Sequence, residues 1–109
     1  MNVTIKATHT TLTDAIRNDI NLKLEPLEKF LRSEDKVHVE LEEDNKHTSG
    51  RFSRVEIRIH PRGMYAEARG NNFYEAMDLA VPKIKEQLAR GKDKRISLRR
   101  RLGNLFKRS

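Results

Sequence analysis

The side chains with the clearest chemistry in this sequence are cations near its C-terminal end. Residues 83–109 contain 11 Lys and Arg against 2 acidic residues, a net charge of +9, whereas residues 1–82 contain 12 against 14, a net charge of −2. Lysine and arginine neutralise phosphates, so a basic block on an otherwise nearly neutral chain predicts a polyanionic partner. RNA, DNA and an anionic membrane all qualify, and the composition favours nucleic acid over a membrane surface or a solubilising tail.

Residues that could perform catalysis or bind a metal are not arranged for either task. The sequence contains no Cys, which excludes disulfides, thiolate metal sites and a cysteine nucleophile. No phosphate-binding glycine loop or nucleophile elbow is present. No metal-like pair occurs among the four histidines, which are His9, His38, His47 and His60. We therefore predict a protein that is not an enzyme and needs no cofactor, metal or small-molecule substrate.

Aromatic side chains, on which unpaired bases stack, are scarce. The candidates for stacking are Phe52, Tyr65 and Tyr74, whereas Phe73 is expected in the core. Many Lys and Arg with few stacking residues predict recognition of the shape and backbone of RNA rather than of its base sequence.

Hydrophobic periodicity predicts the strands that must position these cations. Alternating apolar residues predict one strand at Asn2–Thr8 and three more that begin near Val37, Val55 and Met64. The connections between the last three strands are short and include a turn at residues 60–63. These three strands should therefore form an antiparallel meander.

Two amphipathic helices complete the prediction. In the first, apolar residues recur at three- and four-residue steps over residues 12–31, and Pro26 either kinks this helix or ends it near Leu24 with a restart. The second begins at a cap on Asn72 and ends at Gly91. The order β-α-β-β-β-α, with both helices on one face of a four-stranded sheet, defines an α+β fold.

The length of 109 residues fits one domain. We place this domain at residues 1–94 and a basic tail at residues 95–109, which is either a short amphipathic helix or a flexible arm that folds on a polyanion. No apolar run is long enough to cross a bilayer and no signal peptide opens the chain, so a cytoplasmic location is expected.

Two stretches of the sequence carry a family resemblance. They are TDAIRNDINLKLEPLEKFL from Thr13 and EARGNNFYEAMDLAVPKIKEQLARGKDK from Glu67. In both, the sequence resembles short members of the family of ribosome hibernation-promoting factors and ribosome-associated inhibitor A (protein Y). The resemblance spans residues 2–94, and its matching residues are Ala15, Leu24, Leu27, Glu28, Lys29, Phe30, Ala68, Gly70, Tyr74, Ala76, Asp78, Lys83, Gln87, Leu88 and Lys94.

The resemblance implies a fold, a function and a set of RNA contacts. Proteins of this family have the β-α-β-β-β-α fold, are not enzymes, and bind the small ribosomal subunit in the decoding channel, which inhibits translation and protects idle ribosomes. Lys83, Arg90 and Lys94 match basic positions of the family that contact ribosomal RNA. The full set of expected RNA contacts is Arg62, Arg69, Lys83, Lys85, Arg90, Lys92, Lys94 and Arg95, with tail contacts from Arg99, Arg100 and Arg101.

Some features depart from the family and leave alternatives open. Lys85-Glu86 reverses the acidic-then-basic order that is common there, and the tail is basic where some short members end in an acidic one. Whether the chain promotes or opposes the pairing of ribosomes therefore stays open. The alternative function is a general structured-RNA-binding protein that is not specific to ribosomes.

Overall fold

A four-stranded mixed sheet carries the helices on one of its faces. The computed structural model describes residues 1–43 and 52–107, with side chains described as far as residue 90. The order β-α-β-β-β-α is confirmed. In chain order the elements are β1 (Asn2–Thr8), α1 (Asp14–Leu24), a 3-10 helix (Glu25–Phe30), β2 (Lys36–Glu43), β3 (Ser53–His60), β4 (Met64–Gly70) and α2 (Phe73–Lys107).

The strands lie side by side in chain order, β1-β2-β3-β4. β1 and β2 are parallel, with Ile5 opposite Val39, and α1 supplies the crossover that parallel neighbours require. β2, β3 and β4 pair antiparallel, so the predicted meander is confirmed. In the tight turn before β4, Gly63 adopts a φ of +70° and its N–H donates to Ile59 O at 3.0 Å.

The core lies between the sheet and the helices. Residues on a strand point alternately to its two faces, and a helix repeats every three to four residues, so each element offers one apolar side to the core. The opposite face of the sheet carries polar and charged side chains and is called the open face below. The buried apolar residues are Ile20, Leu24, Leu27, Val37, Val39, Leu41, Val55, Ile57, Ile59, Ala66, Ala68, Phe73, Ala76, Met77, Ala80, Ile84 and Leu88.

Helix α1 ends where Pro26 makes its continuation unfavourable. It starts after Thr13, whose Oγ1 accepts the N–H of Ile16 at 3.2 Å, and it ends at Leu24. Pro26 then lies in the first turn of the 3-10 helix, where a missing N–H leaves no intrahelical hydrogen bond unmade. Of the two predicted outcomes, a helix end with a restart is the one observed, and it keeps Leu27 in the core.

Helix α2 is longer than predicted. Asn72 caps it as expected, because Asn72 Oδ1 accepts the N–H of Glu75 at 2.9 Å. The helix then runs for 35 residues to Lys107, so the predicted end at Gly91 is wrong. A single glycine costs a helix only about 1 kcal/mol relative to alanine, and good helix formers flank this one. Residues 95–107 belong to the same helix, while a domain boundary after residue 94 stays a prediction.

Candidate nucleic-acid interface

Three of the predicted RNA contacts lie on described turns of α2. Lys83, Lys85 and Arg90 are all exposed. Lys83 Nζ donates to the backbone carbonyl of Glu67 at 2.9 Å, which places this ammonium beside the outer edge of β4. Arg90 forms an ion pair with Glu86 one turn earlier, and both side chains are largely exposed. An exposed pair of this kind contributes little stability, so it does not prevent Arg90 from binding a phosphate.

Gln87 closes the outer edge of the sheet and fixes α2 against β4. Its Nε2 donates to Tyr65 O at 2.6 Å, and its Oε1 accepts from the Tyr65 N–H at 3.2 Å. With Lys83 it satisfies backbone groups that an edge strand otherwise leaves open. Sequence reasoning missed this role of Gln87, because a polar residue on a helix flank gives no signal until the neighbouring strand is placed. The contact fixes the cations of α2 relative to the open face.

The two predicted contacts outside α2 differ in their surroundings. Arg69 lies on β4 opposite Arg54 of β3, on the open face. Arg62 lies in the turn before β4 and donates to Asp35 Oδ1 at 3.2 Å, to Asp35 Oδ2 at 2.5 Å and to Phe30 O at 3.2 Å. These bonds join the turn to the 3-10 helix and to the start of β2. An RNA contact of Arg62 stays a prediction.

A network of charges centred on Arg54 covers the open face next to β4. Arg54 contacts three carboxylates, those of Glu42 at 3.6 Å, Glu56 at 2.6 Å and Glu67 at 2.8 Å. Glu56 is buried, although strand alternation predicts a solvated residue at this position. Burial tends to raise the pKa of Glu56, but hydrogen bonds from Arg58 and Arg54 outweigh this effect and lower that pKa. The carboxylates of Glu42, Glu56 and Glu67 are therefore ionised and balanced by arginine charges within the fold.

Glu67 makes the stability of the sheet depend on acid pH. Hydrogen bonds from Arg54 and from the Tyr65 hydroxyl lower the pKa of Glu67 from 4.5 to about 2. Because the pKa is lower in the folded state, the ionised carboxylate stabilises the fold above about pH 4.5, and this contribution is lost as the pH falls towards about 2. We expect Glu67→Gln to flatten the fall in unfolding free energy over this range, measured by urea titration. An acid profile equal to that of the unsubstituted chain would contradict this role.

The remaining predicted RNA contacts lie after residue 90 of α2. The backbone of these residues belongs to the helix. Their contacts with RNA stay predictions. The side chains that lie outside the described residues are those of Lys92, Lys94, Arg95, Arg99, Arg100 and Arg101.

The histidines of the open face do not form a metal centre. The rings of His38 and His60 meet edge to face with their centroids 5.1 Å apart, and Thr4 Oγ1 is hydrogen-bonded to His38 Nδ1. In the part of the chain that the structure describes, no three His, Cys, Asp or Glu residues come together as metal ligands. His47 lies outside that part.

Within the same described residues, no helix is long and apolar enough to cross a membrane.

The fold defines a known class of small α+β protein. The structure matches the N-terminal domain of protein Y from Thermus thermophilus with a TM-score of 0.67 and 28% sequence identity, over 83% of this chain and 98% of that one. A ribosomal subunit interface protein from Coxiella burnetii shares the fold with a TM-score of 0.65 and 18% identity, over 85% of this chain and 99% of that one.

The chain belongs to the Sigma 54 modulation protein / S30EA ribosomal protein family, whose model matches residues 3–96. It is 35% identical over 96 residues to the ribosome hibernation promotion factor of Mycobacterium tuberculosis, covering 85% of this chain and 44% of that protein. It is 30% identical over 97 residues to the ribosome hibernation promoting factor of Escherichia coli, covering 86% of this chain and 96% of that protein. The resemblance carried by the two sequence stretches is thus confirmed. The chain spans less than half of the mycobacterial relative and nearly all of the E. coli one.

Proposed function

We propose that this chain is a ribosome hibernation factor that binds the small ribosomal subunit in the decoding channel. The observation that carries the proposal is family membership over residues 3–96, together with relatives at 35% and 30% identity that are named as ribosome hibernation factors. The family consists of ribosome-binding proteins without catalysis, in agreement with the predicted absence of enzymatic activity. A protein that acts on ribosomes in this way works in the cytoplasm.

The geometry of the interface supports binding by charge and shape. Helix α2 exposes Lys83, Lys85 and Arg90, and Lys83 lies beside β4. The nearby carboxylates of Glu56 and Glu67 are paired with Arg54. Such a surface suits the phosphate backbone of folded ribosomal RNA, where backbone contacts position a protein without reading base sequence. Occupation of the channel then excludes messenger and transfer RNA sterically. This mechanism needs no reaction and no cofactor.

The binding of small subunits should depend strongly on salt. If about six phosphates are neutralised, the logarithm of the association constant falls against the logarithm of salt concentration with a slope of about −4 to −5, because each contact releases condensed counterions. Sedimentation of the chain with isolated small subunits over a series of salt concentrations measures this slope. A flat salt response would contradict the electrostatic basis of the proposal.

A general affinity for structured RNA is the alternative function that the same cations permit. A competition experiment distinguishes ribosome-specific binding from general RNA binding. A ribosome-specific factor stays on small subunits when duplex RNA is added at the same phosphate concentration as the subunits. If duplex RNA displaces the chain in proportion to its phosphate concentration, the alternative is correct.

A further inference from the structure

Tyr65 presents an exposed aromatic ring that the fold holds in one orientation. The residue is 41% exposed on the open face at the outer edge of the sheet. Its hydroxyl donates to Glu67 Oε2 at 2.6 Å, and its backbone N–H and C=O are both hydrogen-bonded to Gln87 of α2. The ring is thus restrained at its polar tip and at its backbone, so a ligand that stacks on it meets little loss of side-chain entropy.

Arg58 extends the surface of this ring. Its guanidinium carbon lies 5.3 Å from the centroid of the Tyr65 ring, within the range of a cation–π contact, and its side chain is 54% exposed. An ion pair with Glu56 also restrains Arg58. Guanidinium planes and aromatic rings are the two side-chain surfaces on which unpaired bases stack.

Cations for the adjoining phosphates lie at the same edge. Lys83 Nζ uses one donor on the carbonyl of Glu67, and an ammonium has three donors, so it can also bind a phosphate. Glu67 itself is paired with Arg54 at 2.8 Å, which limits repulsion between this carboxylate and RNA. The position therefore combines a stacking surface, a cation and neutralised carboxylates.

The other exposed Phe and Tyr rings among the described side chains lack this combination. Tyr74 lies beside Lys23, whose ammonium is 5.9 Å from the ring centroid and is already bound to Asp19 and Asp78 at 2.8 Å each. Phe52 is 37% exposed and has no polar group that could hold its ring in one orientation. Tyr65 is therefore the favoured position.

We propose that Arg58 and Tyr65 form a stacking site for one unpaired nucleobase of a single-stranded RNA segment, with Lys83 binding an adjoining phosphate. The inference rests on the proposed RNA-binding function and adds a base contact to a surface that otherwise binds phosphates. It gives Tyr65 a role in ligand binding beyond its hydrogen bonds within the fold.

The test compares two substitutions at Tyr65 on two RNA probes. Tyr65→Leu removes the aromatic ring, and Tyr65→Phe keeps the ring while removing the hydroxyl that contacts Glu67. The probes are a short fluorescent oligoadenylate and its abasic counterpart of equal length and charge, with affinities measured by anisotropy. Stacking on an aromatic side chain changes affinity by roughly 5- to 150-fold per base. We expect Tyr65→Leu to lose this factor on oligoadenylate, Tyr65→Phe to retain affinity within about twofold, and neither to change the binding of the abasic probe.

Several results would overturn the inference. If the unsubstituted chain binds both probes equally, or if Tyr65→Leu binds oligoadenylate as tightly as the unsubstituted chain, no base stacks on Tyr65. An equal loss on both probes would instead assign Tyr65 to the fold alone. Sedimentation of the unsubstituted chain with small subunits is measured separately: its failure contradicts the proposed function, whereas its success without discrimination between the probes contradicts only the stacking site.

Discussion

Replacing Lys83, Lys85 and Arg90 together by glutamine should weaken binding to isolated small ribosomal subunits by roughly 100- to 500-fold at about 0.1 M salt. These side chains are the exposed cations of the described turns of α2, and each is expected to neutralise one phosphate. Each lost contact removes about 0.7 to 0.9 from the salt slope, which corresponds to roughly a factor of five to eight in affinity at that salt concentration. Sedimentation at several salt concentrations measures both the affinity and the slope.

A matched variant separates the location of these cations from the total charge. Replacing Lys6, Arg17 and Lys36 by glutamine removes an equal number of positive charges, from exposed positions on β1, α1 and β2. We expect this control to keep most of the affinity. Equal losses in the two triple variants would contradict an interface on α2 and would favour attraction by net charge alone.

Lys83 needs a control of its own because it also contacts the backbone of β4. Urea unfolding of the α2 triple variant shows whether the fold remains intact at the temperature of the binding assay. Lys85 has no such contact among the described hydrogen bonds, so Lys85→Gln reports the loss of a phosphate contact without a change at the sheet edge. A single-variant loss of about five- to eightfold is expected for it.

Asp35→Ala should lower the free energy of unfolding by about 3 to 5 kcal/mol, the range observed when one partner of a buried ion pair is removed. The Asp35 side chain is fully buried and Arg62 is only 13% exposed. Asp35 Oδ2 also accepts the N–H of Arg32 at 2.8 Å. The substitution leaves the Arg62 guanidinium with only the Phe30 carbonyl at 3.2 Å and removes the acceptor for Arg32.

Urea or thermal unfolding checks this value against a neighbouring carboxylate. Glu34 is exposed and lies 3.9 Å from Arg32, so Glu34→Ala should change the unfolding free energy by less than about 1 kcal/mol. A double variant, Asp35→Leu with Arg62→Met, replaces both charges by apolar groups and should recover much of the loss. A cost below about 1 kcal/mol for Asp35→Ala would contradict a structural role for this pair.

The strands and the two helical regions could be predicted because burial imposes simple periods on the sequence. Val37, Val39 and Leu41 alternate in β2 since only one face of the sheet meets the helices. Pro26 marked the end of α1 for a local reason, the hydrogen bond that proline cannot make. The prediction that α2 ends at Gly91 is wrong because a glycine weakens a helix without stopping it.

The candidate site was only partly predictable because its contacts join residues that are distant in the chain. Exposed cations such as Lys83 and Arg90 were recognisable from composition and resemblance. Glu56 is a local exception, because its partners Arg54 and Arg58 lie only two residues away on β3. Its burial was missed because strand alternation assigns every residue of the open face to solvent. Gln87 becomes part of the sheet edge only when α2 packs beside β4.

Competition on the small subunit tests the proposal that this chain occupies the path of messenger and transfer RNA. Labelled transfer RNA is bound to small subunits programmed with messenger RNA, the chain is titrated in, and the transfer RNA retained on a filter is counted. We expect the transfer RNA to be lost as the chain binds, and the glutamine triple variant of α2 to require a far higher concentration to displace it. Stable, simultaneous binding of the chain and transfer RNA to the same subunits would contradict this mechanism.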